Sequence, residues 1–395
     1  MANRIMLNTT SYHGAGAIDE IATEAKAHAF KKAFVCSDPD LIKFNVTSKV
    51  TDILDKNDLA YEIYSDIKAN PTIQNVQHGV QAFKDSGADY IIAIGGGSSM
   101  DTAKAIGIII ANPEFEDIRS LEGVAPTKKP CVPIIAVPTT AGTAAEVTIN
   151  YVITDVERKR KFVCVDPHDM PIIAIVDPDM MSSMPKGLTA ATGMDALTHA
   201  VEAYIGNSTT PGTRKNALDA VQLIFENLDR AYTNGSDKEA RKNMLRASYF
   251  AGCAFTKSYV GYVHAVAHTL GGQYNVPHGL ANAVLLPFVL ESYGDTIHSK
   301  LARLALAAGV ADSSTPEKEA AHAFIQAVKD MKKRFNIGDT IPEIKEEDIP
   351  KLAHYADKEG NPLYPVPVLM DAHELEKFYY ILMDKKQEDT SNESE

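Results

Sequence analysis

Three histidines lie close together in the second half of the sequence. His264, His268 and His278 fall within fifteen residues, whereas the whole chain of 395 residues contains only 12 histidines. If the segment from His264 is helical, His264 and His268 lie four residues apart on one face of the helix. Gly271 and Gly272 are then expected to end this helix, and His278 to return from the following loop. Imidazoles gathered in this way can bind a divalent metal ion or exchange a proton.

A second pair of candidate ligands lies upstream. Asp195 and His199, in the segment ATGMDALTHAVEAY, are also four residues apart, so a carboxylate and an imidazole share one helical face. One carboxylate and three imidazoles suit Fe(II) or Zn(II), and the set contains no thiolate that would favour a closed structural zinc site. We therefore hypothesise one four-ligand metal site made of Asp195, His199, His264 and His278. The alternative is that these histidines are buried or surface residues that bind no metal.

The composition excludes several classes of protein. A chain of 395 residues with 45% hydrophobic and 23% charged residues is typical of a globular protein with two domains. The net charge is −13 and the most basic run, Arg158–Lys161, is short, so we expect no nucleic-acid partner. No apolar run is long enough to span a membrane, and the N-terminus has no signal-peptide pattern. Four widely spaced cysteines without CxxC pairing predict no disulfide, and we expect a cytoplasmic protein.

The elements that must position these residues fall into two parts. Up to residue 184, short apolar runs alternate with helical patterns, which is typical of βαβ units in a mostly parallel sheet. The predicted strands are Lys32–Cys36, Ala60–Tyr64, Tyr90–Ile94, Pro133–Val137 and Ile172–Val176. The segment Val147–Val165 predicts a hairpin instead, with Glu157–Lys161 as its loop.

From residue 185 onwards the strand patterns stop and long helical patterns follow. The predicted helices are Leu188–Tyr204, Lys215–Leu228, Lys238–Phe255, Val263–Leu270, Leu280–Tyr293, Ser299–Ala307 and Pro316–Phe335. The predicted fold is therefore an α/β N-terminal domain with a parallel sheet (residues 1–184), followed by an all-α C-terminal domain that carries the candidate metal ligands (residues 185–385). The polar and acidic residues 386–395 are expected to be a disordered tail.

Two turns at the ends of predicted strands could bind a nucleotide. The segment IIAIGGGSSMDTAKA reads as a strand, three glycines and a helix, and a helix N-terminus offers free N–H groups to an anion such as a pyrophosphate. It is not a GxGxxG fingerprint, and a plain tight turn explains it equally well. The turn PTTAGTAAEV follows another strand and carries Thr139, Thr140 and Thr143. Asp38 ends an earlier strand and could instead cap the next helix.

Four motifs together make the chain similar to a known family. GGGSSMDTAK, PTTAGTAAEV, GMDALTHAVEAY and HAVAHTLGGQYNVPHG resemble segments of the iron-containing (group III) alcohol dehydrogenases, and the resemblance covers nearly all of the chain apart from the polar tail. It implies an active site in the cleft between a dinucleotide-binding domain and a helical metal-binding domain. The implied reaction is hydride transfer between NAD(H) and a small aldehyde or primary alcohol, with lactaldehyde reduction to 1,2-propanediol expected. Butanol, 1,3-propanediol and glycerol dehydrogenation are alternatives within the family.

The resemblance also implies roles for individual residues. The family's metal ligands fall on the four residues proposed above, with Fe(II) implied, although the same ligand types suit Zn(II). Asp38 matches a carboxylate beside the adenosine ribose, which would accept from the 2′-hydroxyl and repel a 2′-phosphate, so NAD(H) is favoured. The implied cofactor-binding positions are Asp38, Asn70, Gly96, Gly97, Ser98, Asp101, Thr139, Thr140, Thr143, Thr148, Asn150 and Lys161.

Four further residues have hypothetical roles near the metal. His268 is expected to pass a proton between the substrate and solvent, the alternative being a helix histidine that only orients its neighbours. Asn150 and Phe255 are expected in the substrate pocket, although an aromatic residue at position 255 is also typical of plain core. Glu202, seven residues after Asp195, is expected behind a ligand or at the surface rather than as a ligand.

Two functions other than this reaction are alternatives, and the sequence also predicts a homodimer. A non-redox metal lyase of the dehydroquinate synthase type would need basic residues facing the metal, and few occur near the ligand segments. A catalytically idle scaffold would not need four competent ligand positions. The run Arg4–Ser11 reads as a strand without an early hairpin partner, and an unpaired edge favours a homodimer.

Overall fold

The strand and helix alternation of the first half forms a parallel sheet in the computed structural model, which describes residues 4–383. Six strands pair in the order β1-β8-β5-β4-β2-β3, all parallel, while β6 and β7 form a separate antiparallel hairpin. The strands of this part of the chain are β1 (Thr10–His13), β2 (Lys32–Ser37), β3 (Ala60–Tyr64), β4 (Tyr90–Gly95), β5 (Ile134–Pro138), β6 (Asn150–Asp155), β7 (Arg160–Val165) and β8 (Ile173–Val176).

Helices flank the sheet and then make up the second half. The first five are α1 (Glu20–Ala27), α2 (Pro39–Lys43), α3 (Thr47–Lys56), α4 (Ile73–Ser86) and α5 (Gly97–Ala111). The second half, as far as residue 383, contains helices and no strand. Its helices are α6 (Lys186–Ile205), α7 (Pro211–Thr233), α8 (Lys238–Ser258), α9 (Tyr262–Tyr274), α10 (His278–Tyr293), α11 (His298–Ala307), α12 (Glu317–Arg334), α13 (Ile349–Gly360) and α14 (Ala372–Leu382). The predicted fold class is confirmed.

The sheet is covered on both faces. Every residue of β4, with the sequence YIIAIG, is buried, as expected for a central parallel strand that has helices on both sides. Successive side chains of a strand point to opposite faces of the sheet. Phe34 and Ile91 belong to the hydrophobic core on one face, and Val35 and Ile92 to the core on the other. This arrangement fixes which strand ends lie side by side.

The strand order creates a crevice between β2 and β4. The chain leaves β2 towards the β3 edge of the sheet, whereas it leaves β4 in the opposite direction, towards β5. Ligands of open α/β sheets bind at such a point, outside the carboxyl ends of the strands. Ser37 pairs with Ile94, so Asp38 and Gly95, which follow them, emerge next to each other. The two predicted nucleotide-binding elements therefore meet at this crevice.

One close contact joins the helical half to the hairpin. Helix α9 packs on β7, and a Cβ atom on Gly272 would lie 2.6 Å from Cα of Arg160 and from the backbone nitrogen of Lys161. Only glycine allows this approach. The expectation that Gly271 and Gly272 end the helix is therefore wrong: α9 continues to Tyr274 and ends at Asn275, whose φ of 59° is left-handed.

Several other boundaries differ from the prediction. The strand expected at Arg4–Ser11 is Thr10–His13, and the segment before it is held instead by the Asn8 amide, which donates to the carbonyls of Glu146 and Pro171. The hairpin loop is residues 156–159, because Arg160 and Lys161 already belong to β7. Helices α13 and α14 were not predicted. The expected tail, residues 386–395, lies outside the described residues.

No helix within residues 4–383 combines the length and the hydropathy needed to cross a lipid bilayer.

Candidate metal and cofactor site

Four potential metal ligands converge from three helices. Asp195 and His199 lie on α6, His264 on α9, and His278 is the first residue of α10 rather than part of a loop as predicted. Each offers one donor atom, and the four atoms lie within 4.8 Å of one another. Nε2 of His278 is 3.5 Å from Oδ1 of Asp195, and Nε2 of His264 is 3.9 Å from the same oxygen. Helix α10 packs against both α6 and α9, which holds the set together.

Glu202 orients one of these histidines. Its carboxylate accepts a hydrogen bond from Nδ1 of His264 at 2.6 Å and another from the backbone N–H of Val263 at 2.8 Å. Because Nδ1 donates to a carboxylate, Nε2 keeps its lone pair and faces Asp195. Glu202 is buried, so the surface alternative for this residue is excluded, and its place behind a candidate ligand is the one expected.

Asn282 lies at the point where the donor atoms meet. Its Nδ2 donates to Oδ1 of Asp195 at 2.7 Å and lies 3.2 Å from Nε2 of both His264 and His278. The lone pairs of these three atoms are therefore directed at one place. The Asn282 side chain is fully buried on α10, one helical turn after His278.

Burial sets the charge state of the cluster. It raises the pKa of the Asp195 carboxyl and holds the pKa values of His199 and His278 well below the ordinary imidazole value. For His264, burial disfavours the imidazolium, but the hydrogen bond and the charge of Glu202 raise the pKa overall. The lowered pKa values keep His199 and His278 neutral, which is the form of an imidazole that can coordinate a divalent cation.

Two observations indicate that the four donors suit a metal ion. Within residues 4–383, Nδ1 of His199, which lies 4.0 Å from Oδ2 of Asp195, is buried without a hydrogen-bond partner, and buried polar atoms are rarely left so. One carboxylate and three imidazoles suit Fe(II) and Zn(II) alike. The residues present could therefore hold such an ion.

Aromatic contacts close the space around the cluster. The ring of Phe255, from α8, stacks on His199 with centroids 4.2 Å apart. On the other side, the His268 ring stacks on His278 at 5.1 Å. Nδ1 of His268 is 2.7 Å from Oε1 of Glu359 on α13, and the Tyr364 hydroxyl donates to the same oxygen at 2.8 Å. His268 thus lies beside the four donors without being one of them.

A cavity of about 920 Å³ runs from this cluster to the crevice of the sheet. Its walls include every residue that the sequence suggested for a site. These are Asp38, Asn70, Gly96, Gly97, Ser98, Asp101, Thr139, Thr140, Thr143, Thr148, Asn150, Lys161, Asp195, His199, Phe255, His264, His268 and His278.

The glycine turn and the threonine turn pack on each other at the sheet end of this cavity. A Cβ atom on Gly96 would lie 3.0 Å from Oγ1 of Thr140, so the close approach of the turns requires a small residue. The N–H of Thr139 donates to the carbonyl of Gly95 at 2.9 Å. Among the residues that the structure describes, no side chain caps α5, which begins at Gly97, so its first N–H groups are available to an anion.

Two polar side chains lie at the mouth of the crevice. Asp38 caps α2 by accepting from the N–H of Leu41 at 3.0 Å, as the alternative reading expected, and it also lines the cavity. The amide of Asn70 donates to the side chain of Asn275 at the end of α9. A side chain of each half therefore contributes to this end of the cavity.

Other predicted cofactor-binding side chains make contacts within the protein. The Ser98 hydroxyl donates to the carbonyl of Ala69 at 2.7 Å. The Asp101 carboxylate accepts from the N–H of Val152 at 3.1 Å, and burial raises its pKa to about 7. The Thr148 hydroxyl accepts from the ammonium of Lys104 at 3.2 Å. These side chains shape the wall of the cavity.

Lys104 and Lys161 are two of the cations of this region. The Lys104 ammonium is buried, donates to the carbonyls of Thr148 and Asn150, and lies 3.6 Å from Asp169. It therefore ties α5 to the start of the hairpin. Lys161 lines the cavity itself, and its removal from water lowers its pKa to about 8, although nearby carboxylates, among them Asp101, act in the opposite direction.

Sequence reasoning did not identify three residues of this site. Asn282 lies four residues after His278, so helical spacing could have suggested that it belongs to the cluster. Glu359 and Lys104 gave no such signal. Glu359 is 91 residues from His268 in the chain, and Lys104 contacts residues 44 or more positions away.

Comparisons with known proteins agree with this architecture. Residues 8–178 match the family described as iron-containing alcohol dehydrogenase, and residues 189–380 match the C-terminal region of the Fe-containing alcohol dehydrogenase family. Lactaldehyde reductase of Escherichia coli K12 is 48% identical over 358 residues, which cover 90% of this chain and 93% of that protein.

Solved structures have the same fold over almost the full length. A 1,3-propanediol oxidoreductase is 36% identical with a TM-score of 0.91, and the match covers 96% of this chain and 99% of that one. A sulfoacetaldehyde reductase from Bifidobacterium kashiwanohense, solved in complex with NAD⁺, is 28% identical with a TM-score of 0.83, covering 98% of this chain and 100% of that one. Both family regions and the full-length likeness lead to one conclusion: this chain belongs to the iron-containing alcohol dehydrogenase family of oxidoreductases.

Proposed function

We propose that this chain is a metal-dependent NAD(H) oxidoreductase that interconverts small aldehydes and primary alcohols, and that its main reaction is the reduction of lactaldehyde to 1,2-propanediol. The substrate follows from the 48% identity to the lactaldehyde reductase of Escherichia coli. A preference for 1,3-propanediol is the second candidate, because a 1,3-propanediol oxidoreductase has nearly the same fold.

The observation that carries the proposal is the continuity of the cavity. The four metal-ligand candidates line the same space as the glycine turn and the threonine turn. A ligand with a pyrophosphate at the N-terminus of α5 therefore has room to extend towards Asp195 and His199. This is the arrangement that hydride transfer between a dinucleotide and a small bound molecule requires.

The protein residues would position the reactants. A divalent metal at the four donors would supply Lewis acidity towards the substrate oxygen, and NADH would supply the hydride. We assign the metal site to Asp195, His199, His264 and His278, with Fe(II) favoured by the family and Zn(II) as the alternative. Phe255 covers His199 and excludes water from one side of the site.

His268 is assigned to proton transfer. Its Nδ1 is held by Glu359, which leaves Nε2 free to exchange a proton with the substrate or with solvent in the cavity. Its stacking on His278 places it next to a proposed metal ligand. A role confined to orienting neighbours is the alternative, and substitution of His268 distinguishes the two.

The cofactor assignment covers the sheet end of the cavity. The pyrophosphate would bind at Gly96, Gly97 and Ser98, and Asp38 would bind the adenosine ribose and select NAD(H) over NADP(H). The similarity of this chain to the sulfoacetaldehyde reductase that was solved in complex with NAD⁺ supports this assignment. The other proposed cofactor-binding positions are Asn70, Asp101, Thr139, Thr140, Thr143, Thr148, Asn150 and Lys161, with Asn150 also bordering the substrate.

The test is NADH oxidation by anaerobically purified protein reconstituted with Fe(II) or with Zn(II). The substrates are lactaldehyde, propanal, butanal and 3-hydroxypropanal. Fast turnover with lactaldehyde, lost in His264→Ala and kept in His373→Ala, which changes an exposed histidine, is the expected result. Turnover confined to 3-hydroxypropanal would favour the second candidate. No turnover with any aldehyde and either metal would contradict the proposal.

Three further assignments, which concern the domain boundary, the oligomeric state and the location, complete the proposal. We place the domain boundary near residue 185, supported by the end of β8 at Val176 and the start of α6 at Lys186. A homodimer is proposed because β1 is an edge strand with exposed Ile5 and Leu7 just before it, and light scattering tests it. The cytoplasmic location stays a prediction from the sequence.

A further inference from the structure

The short connection between α8 and α9 contains a residue in a conformation that normally requires glycine. Tyr259 has φ 63° and ψ −174°. Ala144 and Asn275 also have positive φ, but their ψ values of 30° and 28° place them in the ordinary left-handed region. Positive φ with ψ near 180° is essentially confined to glycine, because a Cβ atom clashes with the backbone there. Strained residues of this kind persist only where their surroundings hold them.

Contacts on both sides hold this connection in place. The N–H of Tyr259 donates to the carbonyl of Phe255 at 2.7 Å, which closes the last turn of α8. The hydroxyl of Ser258 donates to the carbonyl of Ser208 at 3.2 Å. After the connection, the N–H of Val263 donates to Glu202, the carboxylate that also orients His264. The backbone at Tyr259 is therefore fixed to the framework of the proposed metal site.

Tyr259 lines the cavity four residues after Phe255, to whose carbonyl its N–H donates. Tyr259 and Phe255 both line the cavity, and the Phe255 ring stacks on His199. Tyr259 is half-buried, and the hydrogen bonds found within residues 4–383 include none to its hydroxyl. A glycine at this position would relieve the backbone strain. The chain instead carries a large aromatic side chain, which indicates that the ring has a use in the cavity.

We propose that Tyr259 is a specificity-determining residue whose ring, next to Phe255, restricts the metal end of the cavity to short aldehydes. This inference rests on the proposed oxidoreductase function and narrows its substrate class. The ring reduces the space available beyond the carbonyl carbon, so each added methylene of a longer aldehyde meets the aromatic wall. An enzyme discriminates such homologues by one or two orders of magnitude in kcat/KM through pocket size.

Three variants test the inference. Tyr259→Gly removes the ring and relieves the backbone, Tyr259→Ala removes the ring but keeps the strain, and Tyr259→Phe keeps the ring. For each variant, kcat/KM is measured with propanal and with hexanal. We expect the hexanal-to-propanal ratio to rise about ten-fold or more in Tyr259→Gly and Tyr259→Ala and to stay at the wild-type value in Tyr259→Phe.

Thermal melting without substrate gives a second readout. Tyr259→Gly is expected to melt at a higher temperature than Tyr259→Ala, because only glycine adopts this backbone freely, so Tyr259→Gly is also the variant most certain to fold. Equal melting temperatures would contradict the strain argument. If the wild-type enzyme is active but the hexanal-to-propanal ratio is unchanged in both Tyr259→Gly and Tyr259→Ala, the inference about Tyr259 is overturned and the proposed function is kept. Wild-type protein that oxidises no NADH with any aldehyde would overturn the proposed function instead.

Discussion

Glu202 accepts a hydrogen bond from Nδ1 of His264 at 2.6 Å, and both side chains are buried in the helical half. The carboxylate leaves Nε2 of His264 as the nitrogen that faces Asp195. Residues in this position behind a metal-binding histidine fix the ring orientation and increase its basicity. The proposed metal site therefore depends on a residue that does not itself contact the metal.

Replacement of this carboxylate should weaken metal binding. Glu202→Gln keeps the shape of the side chain but removes the charge that raises the pKa of His264. We expect a loss of roughly 10–100-fold in metal affinity, measured by competition with a chelator. Glu319→Gln, the same change on an exposed part of α12, is the control and should leave the affinity unchanged. Wild-type affinity in Glu202→Gln would show that the carboxylate serves packing alone.

Removal of the His268 ring should lower turnover and leave metal binding unchanged. His268 contacts Glu359 and stacks on His278, but it is not one of the four converging donors. His268→Ala should therefore retain the metal content of the wild type while its kcat falls, by about 10²-fold or more if proton transfer is lost. Metal analysis and steady-state kinetics on the same preparation give both values. Unchanged kcat would remove His268 from the mechanism and leave it the orienting role.

The proposed choice between NADH and NADPH can be tested without loss of a helix cap. Asp38 both caps α2 and lines the cavity, so an alanine would disturb two properties at once. Asparagine still accepts the capping hydrogen bond and carries no charge. Asp38→Asn should raise the NADPH-to-NADH ratio of kcat/KM by about ten-fold, equivalent to ~1.4 kcal/mol.

The control for this change is a second capping aspartate. Asp371 caps α14 by accepting from the N–H of Glu374 at 2.9 Å and is exposed. Asp371→Asn should leave the cofactor ratio unchanged. If Asp38→Asn behaves in the same way, Asp38 is only a cap and the selection of NAD(H) must come from another part of the crevice.

Local periodicity predicted the parts of this molecule that depend on local sequence. Four-residue spacing placed Asp195 with His199, and the alternation of strands and helices predicted the parallel sheet. Gly271 and Gly272 show where such reasoning stops. A glycine pair that ends a helix and a glycine pair that admits a neighbouring strand look alike in sequence, and here the second role applies because β7 packs on α9.

Contacts between distant residues could not be predicted from one sequence. Glu359 approaches His268 only because α13 packs on α9, and nothing in the local pattern of either helix indicates this. The positive φ of Tyr259 could not be predicted either, because the backbone of a tyrosine strongly disfavours the conformation observed there. The general site was predictable from residue types, whereas its supporting residues required the tertiary structure.

The buried Glu146 should make the stability of the protein depend on pH. Burial raises the pKa of its carboxyl to about 7, well above the value of about 4.3 for an unfolded chain. Between these values the folded protein binds more protons than the unfolded one, so the free energy of unfolding falls as the pH rises from about 4 towards and through 7. At pH 8 the carboxylate is charged, and one of its oxygens, Oε1, has no hydrogen-bond partner within residues 4–383.

Glu146→Gln should remove this contribution, because the amide stays neutral at every pH. We expect the melting temperature of the variant to exceed that of the wild type more at pH 8 than at pH 5, measured by calorimetry at both values. Other buried carboxyls such as Asp169, whose pKa burial raises to about 8, titrate in both proteins and cancel in the comparison. Glu114→Gln, at an exposed position, should show no such difference between the two pH values. A constant offset between Glu146→Gln and the wild type would mean that Glu146 is charged in the folded protein across this range, as it is in the unfolded chain.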